Sequence, residues 1–144
     1  MKRIDHIGIA VKSIEDAARL YAEGLGLPCT HVETVEAQGV KVGFIAVGES
    51  EIELLEPLGP ESPVARFLDR HGEGIHHICI EVDDIGAAME RLRAQGACLL
   101  SDAPQPGAGG ALVAFVHPTG ANGVLIELAQ HATHNPQPQA WSVP

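Results

Sequence analysis

The chain has 144 residues, 45% of them hydrophobic and 19% charged, which suits one packed domain and excludes general disorder. Nineteen acidic side chains against nine basic ones give a formal net charge of −10, and aromatics are only 3%; both features argue against a nucleic-acid or anionic-membrane surface. No apolar run approaches the ~20 residues of a membrane span. Patterned sequence begins within Met1–His6, so no leader is expected, and Cys29, Cys79 and Cys98, odd in number and without CxxC spacing, fit a reducing cytoplasm.

Residues 4–11, Ile-Asp-His-Ile-Gly-Ile-Ala-Val, alternate in character and predict a strand. Ile14, Ala17, Ala18, Tyr21 and Leu25 then recur at helical spacing over 14–25. Ser13 is placed to cap that helix, and Gly24 and Gly26 to end it. Extended segments follow near 28–35, 40–47 and 51–57. Pro57, Gly59 and Pro60 break the last of these, and Ser62-Pro63 opens a short connector helix through Arg70. A second strand over 76–82, a helix over 84–95 and strands near 97–101, 111–117 and 123–130 complete the pattern. The residues from 131 onward, with Pro136, Pro138 and Pro144, read as an irregular tail; His131 and His134 have no defensible ligand spacing and read as solvated.

The two halves are alike. Residues 75–82, Ile-His-His-Ile-Cys-Ile-Glu-Val, match 4–11 at a shift of 71 residues, which sets His77 on His6. The same shift sets Ile85 on Ile14, Ala88 on Ala17, Val113 on Val42 and Phe115 on Phe44. The period exceeds that of solenoid repeats, so the chain reads as two paired modules, about 3–57 and 75–130, joined by a connector over 58–74 in a single domain of residues 1–130.

Side-chain direction picks out the chemistry. His6 shares a strand face with Gly8 and Ala10, opposite Ile7, Ile9 and Val11, and His77 occupies the equivalent point. In the last strand of each module Glu53 matches Glu127, with three extra residues in the second. Glu127 lies in Gly-Val-Leu-Ile-Glu-Leu, apolar on both faces, where an unpaired carboxylate costs several kcal/mol. Two imidazoles and two carboxylates related by duplication predict a divalent metal site, with Zn, Co, Mn, Ni or Fe all compatible. His76 should point away from His77 and play a supporting part. His117 is a loop residue that could meet a substrate, the glycine-rich segment Pro106–Gly110 a turn that could close over one, and Asp83 and Asp84 caps of the second helix.

These residues resemble the methylmalonyl-CoA epimerase family of the vicinal oxygen chelate (glyoxalase-like) superfamily over roughly 3–130. The short His and Glu motifs are shared across the superfamily. Glu-Ser-Pro-Val-Ala-Arg-Phe-Leu at 61–68 and Gly-Ala-Gly-Gly at 107–110 point more narrowly to the epimerase. The resemblance implies an α+β fold of two tandem βαβββ modules forming a half-open, barrel-like sheet around a metal. It implies the ligands His6, Glu53, His77 and Glu127, with Co2+ foremost and Zn2+, Mn2+ or Ni2+ as options, and a cytoplasmic homodimer with an acyl-CoA substrate. The implied isomerase reaction inverts C2 of methylmalonyl-CoA by proton abstraction alpha to the thioester through a metal-stabilised enolate, with Glu127 and Glu53 as catalytic groups.

The chain departs from the family pattern in two places. Lys41 and Val42 stand where some members carry a second acid, which leaves Glu53, Glu36 or a bound water as the second acid/base. Thr119 stands where relatives often carry Lys, which leaves Lys12, Lys41, Arg66 or Arg70 to meet the CoA phosphates. The rivals are a glyoxalase I-type lactoylglutathione lyase and a non-catalytic small-molecule-binding module of the same fold. Metal content separates the last of these from the enzymes.

Overall fold

The computed structural model describes residues 2–132. Strand β1 (Arg3–Ala10) leads into α1 (Ile14–Arg19), which runs on as a π-turn over Leu20–Gly24, and then into β2 (Cys29–Val35), β3 (Val40–Val47) and β4 (Ser50–Pro57). After α2 (Pro63–His71) the same order returns as β5 (Gly74–Glu81), α3 (Ile85–Ala94), β6 (Gln105–Pro106), β7 (Leu112–Val116) and β8 (Ile126–Gln130). Each α-helix starts on a side-chain cap. Ser13 accepts from the Asp16 amide, Ser62 from Val64 with Pro63 in the first turn, and Asp84 from Ala87, each worth about 1 kcal/mol.

The eight strands form one curled, half-open sheet in the order β2-β3-β4-β1-β5-β8-β7-β6. At its centre β1 and β5 run antiparallel, and each is flanked by the last strand of its own module in parallel. The order is therefore the same read from either edge, as a duplicated unit requires. Alternation along the strands divides the core by face. The α1 side buries Val11, Ile14, Ile45 and Leu54, and the α3 side buries Val82, Ile85, Met89 and Leu128. The concave face carries two other clusters, Val40, Val42, Leu55 and Val64 in module one and Cys79, Ala111, Val113 and Ala129 in module two.

One expected strand is missing. Residues 97–101 form only an isolated bridge, Leu99 to Val116, and the short edge strand comes later, at Gln105–Pro106. Pro104 and Pro106 have no amide hydrogen to offer a ladder, so pairing on this edge stays brief. Most of the expected tail, including His134, lies outside the described residues. Among the described residues no helix is long and apolar enough to cross a membrane.

Candidate metal centre

The strand register brings the four predicted residues onto the concave face in two crossed rows. Glu53 on β4 lies opposite Gly8, and Gly8 opposite His77. Glu127 on β8 lies opposite Cys79, and Cys79 opposite His6. Each glutamate thus shares a row with the histidine of the other module, across one small residue. That smallness is needed. A Cβ on Gly8 would overlap the His77 ring, lying 2.6 Å from Nδ1.

Three of the four meet at one point. His6 Nε2 and His77 Nε2 are 3.1 Å apart, and Glu127 Oε1 is 3.1 Å from the first and 2.8 Å from the second. Cis donors around an octahedral cation with bonds of about 2.1 Å are separated by about 3 Å, so this triangle has the dimensions of one face of such a shell. Glu53 lies beside the same imidazole but on its other nitrogen, with Oε2 3.2 Å from His6 Nδ1. Three carboxylates, Asp5, Glu53 and Glu127, are buried with two imidazoles, and none of the five residues is more than 7% exposed. Such a surplus of buried acid is stabilised by a bound cation. Donor chemistry, spacing and charge therefore all fit a divalent metal.

The buried groups perturb one another. Burial works against a charged His6, but hydrogen bonds with Asp5, Cys79 and Glu127 and the charge of Glu53 outweigh it and hold the imidazole well above the usual histidine range. Burial also penalises a charged Glu127, yet hydrogen bonds from His6 and His77 keep its carboxyl below the ordinary range. For Glu53, burial outweighs the opposing charge of His6 and, with the charge of Glu127, pushes the carboxyl up to about 8. His76 is pushed by burial down to about 4 and stays neutral.

A cavity of about 470 Å³ opens onto this cluster. Its walls are mainly apolar, with Val40, Val42 and Leu55 on one side and Ala111, Val113 and Phe115 on the other. Ala108 of the glycine-rich segment and Gln105 just before it reach the lining. That segment is tied across to module one, where the Gly109 amide donates to Glu33 at 2.9 Å and Gln38 Nε2 donates to the Pro106 carbonyl at 3.3 Å.

Other expected participants lie elsewhere. Glu36 is outside this cavity, in a shallower depression with Leu58 and Pro60. His117 is exposed, and its Nδ1 accepts from the Thr119 amide, capping a short turn. Lys41 is 3.6 Å from Glu56, and Arg66 donates to the Glu61 carbonyl at 2.7 Å.

Comparison with known proteins places the chain. Residues 5–115 match the model of the Glyoxalase/Bleomycin resistance protein/Dioxygenase superfamily. The chain belongs to this superfamily. Within it, the chain is 46% identical over 130 residues to an ethylmalonyl-CoA/methylmalonyl-CoA epimerase of Cereibacter sphaeroides, covering 89% of this chain and 97% of that one. It is 43% identical over 129 residues to the mitochondrial methylmalonyl-CoA epimerase of Homo sapiens, covering 89% and 73%. A solved variant of Streptomyces coelicolor methylmalonyl-CoA epimerase, in complex with 2-nitronate-propionyl-CoA, superposes with a TM-score of 0.89 at 35% identity, over 94% of this chain and 98% of that one.

Sequence reasoning about this glyoxalase-superfamily chain missed Asp5 behind the ligand cluster and expected His76, given a supporting part, to point away from His77. The β1–β5 register slips twice, leaving Asp5 as an extra residue on β1 and His76 as an extra residue on β5. Each bulge turns an additional polar side chain toward the cavity, against strict alternation. Asp5 Oδ2 lies 2.7 Å from His6 Nδ1, and His76 Nδ1 lies 3.0 Å from His77 Nδ1. Residues 5 and 76 are themselves related by the 71-residue shift, so the signal was present in the repeat. His131, expected to be solvated, is exposed, yet it places Nε2 2.6 Å from Asp5 Oδ1.

Proposed function

We propose that this chain is a metal-dependent epimerase, an isomerase that interconverts the C2 epimers of methylmalonyl-CoA by removing the proton alpha to the thioester. The observation that carries this reading is the convergence of His6, His77 and Glu127 on a mainly apolar cavity. Strong identity to methylmalonyl-CoA epimerases along nearly the whole domain supports it. The proposed ligands are His6, Glu53, His77 and Glu127, with residues 1–130 as the catalytic domain. A bound divalent cation, Co2+ foremost and Zn2+, Mn2+ or Ni2+ otherwise, supplies Lewis-acid stabilisation of the negative charge that grows on the thioester oxygen.

The protein's own residues handle the proton. Glu127 is held ionised by His6 and His77, which makes its carboxylate the base for one face of C2. Inversion needs a second group on the opposite face. Three carboxylate residues line the cavity among the described residues, Asp5, Glu53 and Glu127, and Asp5 has both oxygens engaged. Glu53, from the other module, is therefore the second acid/base. Val42 and Leu55 give the cavity an apolar wall beside these carboxylates. Lys12 and Arg70 are the first choices for the CoA phosphates, because Lys41 and Arg66 already have partners. The proposed setting is a cytoplasmic homodimer without nucleic-acid or membrane partners.

The test is deuterium wash-in at C2 of methylmalonyl-CoA in D2O, followed by NMR with cobalt-loaded and metal-free protein. Metal-dependent exchange, with both epimers formed from one, is expected. Full cobalt occupancy without exchange would reject this substrate.

A further inference from the structure

Behind the donor triangle lies a row of polar side chains that the proton-transfer scheme does not use. Asp5 is buried at the first bulge of β1, and both of its oxygens have partners. Oδ2 accepts from His6 Nδ1 at 2.7 Å, and Oδ1 accepts from His131 Nε2 at 2.6 Å and from the Arg3 guanidinium at 3.3 Å. Arg3 is anchored in turn by Glu81, at 2.6 Å. His131 is the residue that follows β8, the strand bearing Glu127. The row therefore joins the end of one ligand-bearing strand to the back of the other.

We propose that Asp5 is a positioning residue for His6, and that His131, the residue directly after β8, is the latch that holds Asp5 in place. This rests on the ligand reading above. An imidazole that ligates through one nitrogen is oriented by what its other nitrogen donates to. Two carboxylates compete for His6 Nδ1, Asp5 at 2.7 Å and Glu53 at 3.2 Å. Asp5 wins only while its own orientation is fixed, and Arg3 and His131 fix it. Losing Asp5 leaves Nδ1 to Glu53, which turns the ring and draws a proposed ligand away from the cation. The duplicated bulge supports a device rather than an accident, because position 76 delivers His76 to the same nitrogen of His77.

The experiment measures cobalt(II) affinity by competition with a chromophoric chelator, together with the visible cobalt spectrum, which reports ligand geometry. The proteins are the parent chain, Asp5→Ala, Asp5→Asn, His131→Ala, His131→Gln and, as a ligand control, His77→Ala. Asp5→Ala is expected to weaken cobalt binding about 10–100-fold and to shift the spectrum. His131→Ala is expected to shift both the same way by less, with His131→Gln restoring them. Parental affinity and spectrum in Asp5→Ala overturn the positioning role. An effect in Asp5→Ala with none in His131→Ala overturns the latch. If Asp5→Ala does not fold, Asp5→Asn decides, since its amide is a weaker acceptor and an unchanged spectrum overturns the proposal. A parent that binds no cobalt overturns the ligand reading itself, whereas cobalt binding lost in His77→Ala and kept in Asp5→Ala overturns the positioning role alone.

Discussion

Gly8→Ala isolates the geometry of the site from its chemistry, because it adds one methyl group and removes no ligand. Gly8 lies between Glu53 and His77 in the sheet, and the His77 ring covers its Cα. An alanine Cβ would lie 2.6 Å from His77 Nδ1 and closer still to Cε1, whereas ordinary contact begins at 3.4 Å, so the ring must retreat by at least about 0.8 Å. Ligand positions at a metal tolerate about 0.2 Å, and the displacement is several times that. The backbone does not object, since Gly8 is absent from the positive-φ glycines and alanine suits a central strand better than glycine does. Cobalt affinity should therefore fall at least 10–100-fold, the range seen when a ligand's support is lost, while the melting midpoint of the metal-free protein stays within a few degrees of the parent's. Chelator competition and thermal melts on the same preparation measure both. Parental cobalt affinity in Gly8→Ala would refute the reasoning, since His77 would then tolerate a displacement that ligation does not.

Three further outcomes follow from the buried charges. Glu127→Gln keeps the shape of the side chain but removes the base; exchange at C2 should fall by a factor of at least 10² while the circular dichroism spectrum is unchanged, and near-parental exchange would exclude Glu127 as the base. Metal uptake at pH 7 should release protons, because His6 is held above its usual range and Glu53 is raised to about 8, and ligation requires both to lose their protons. Calorimetry in buffers of different ionisation enthalpy reads the proton count, and a buffer-independent heat would contradict it. The sign for stability follows from the raised value. In the metal-free protein the contribution of Glu53, complete below its ordinary 4.5, is lost as pH rises through about 8.

The local pattern was legible where it was periodic. The 71-residue repeat, the strand alternation and the Ser13 and Ser62 caps were enough to place the elements within a few residues, because these depend on near neighbours. The edge of the second module was misplaced, because two prolines and a brief ladder leave little periodic signal there.

His6, Glu53, His77 and Glu127 could be singled out from sequence because each breaks an apolar strand at a duplicated position. What the sequence by itself determined is therefore two similar modules with two imidazoles and two carboxylates at duplicated positions. Only the tertiary structure decided how these meet. The antiparallel pairing of β1 with β5 crosses the rows, so each glutamate answers the other module's histidine over Gly8 or Cys79. The register slips at Asp5 and His76 add a second pair of polar groups that alternation would have turned away. The union of His131 with Asp5 spans 126 positions in the chain, and no local pattern encodes a contact that depends on where the curled sheet closes.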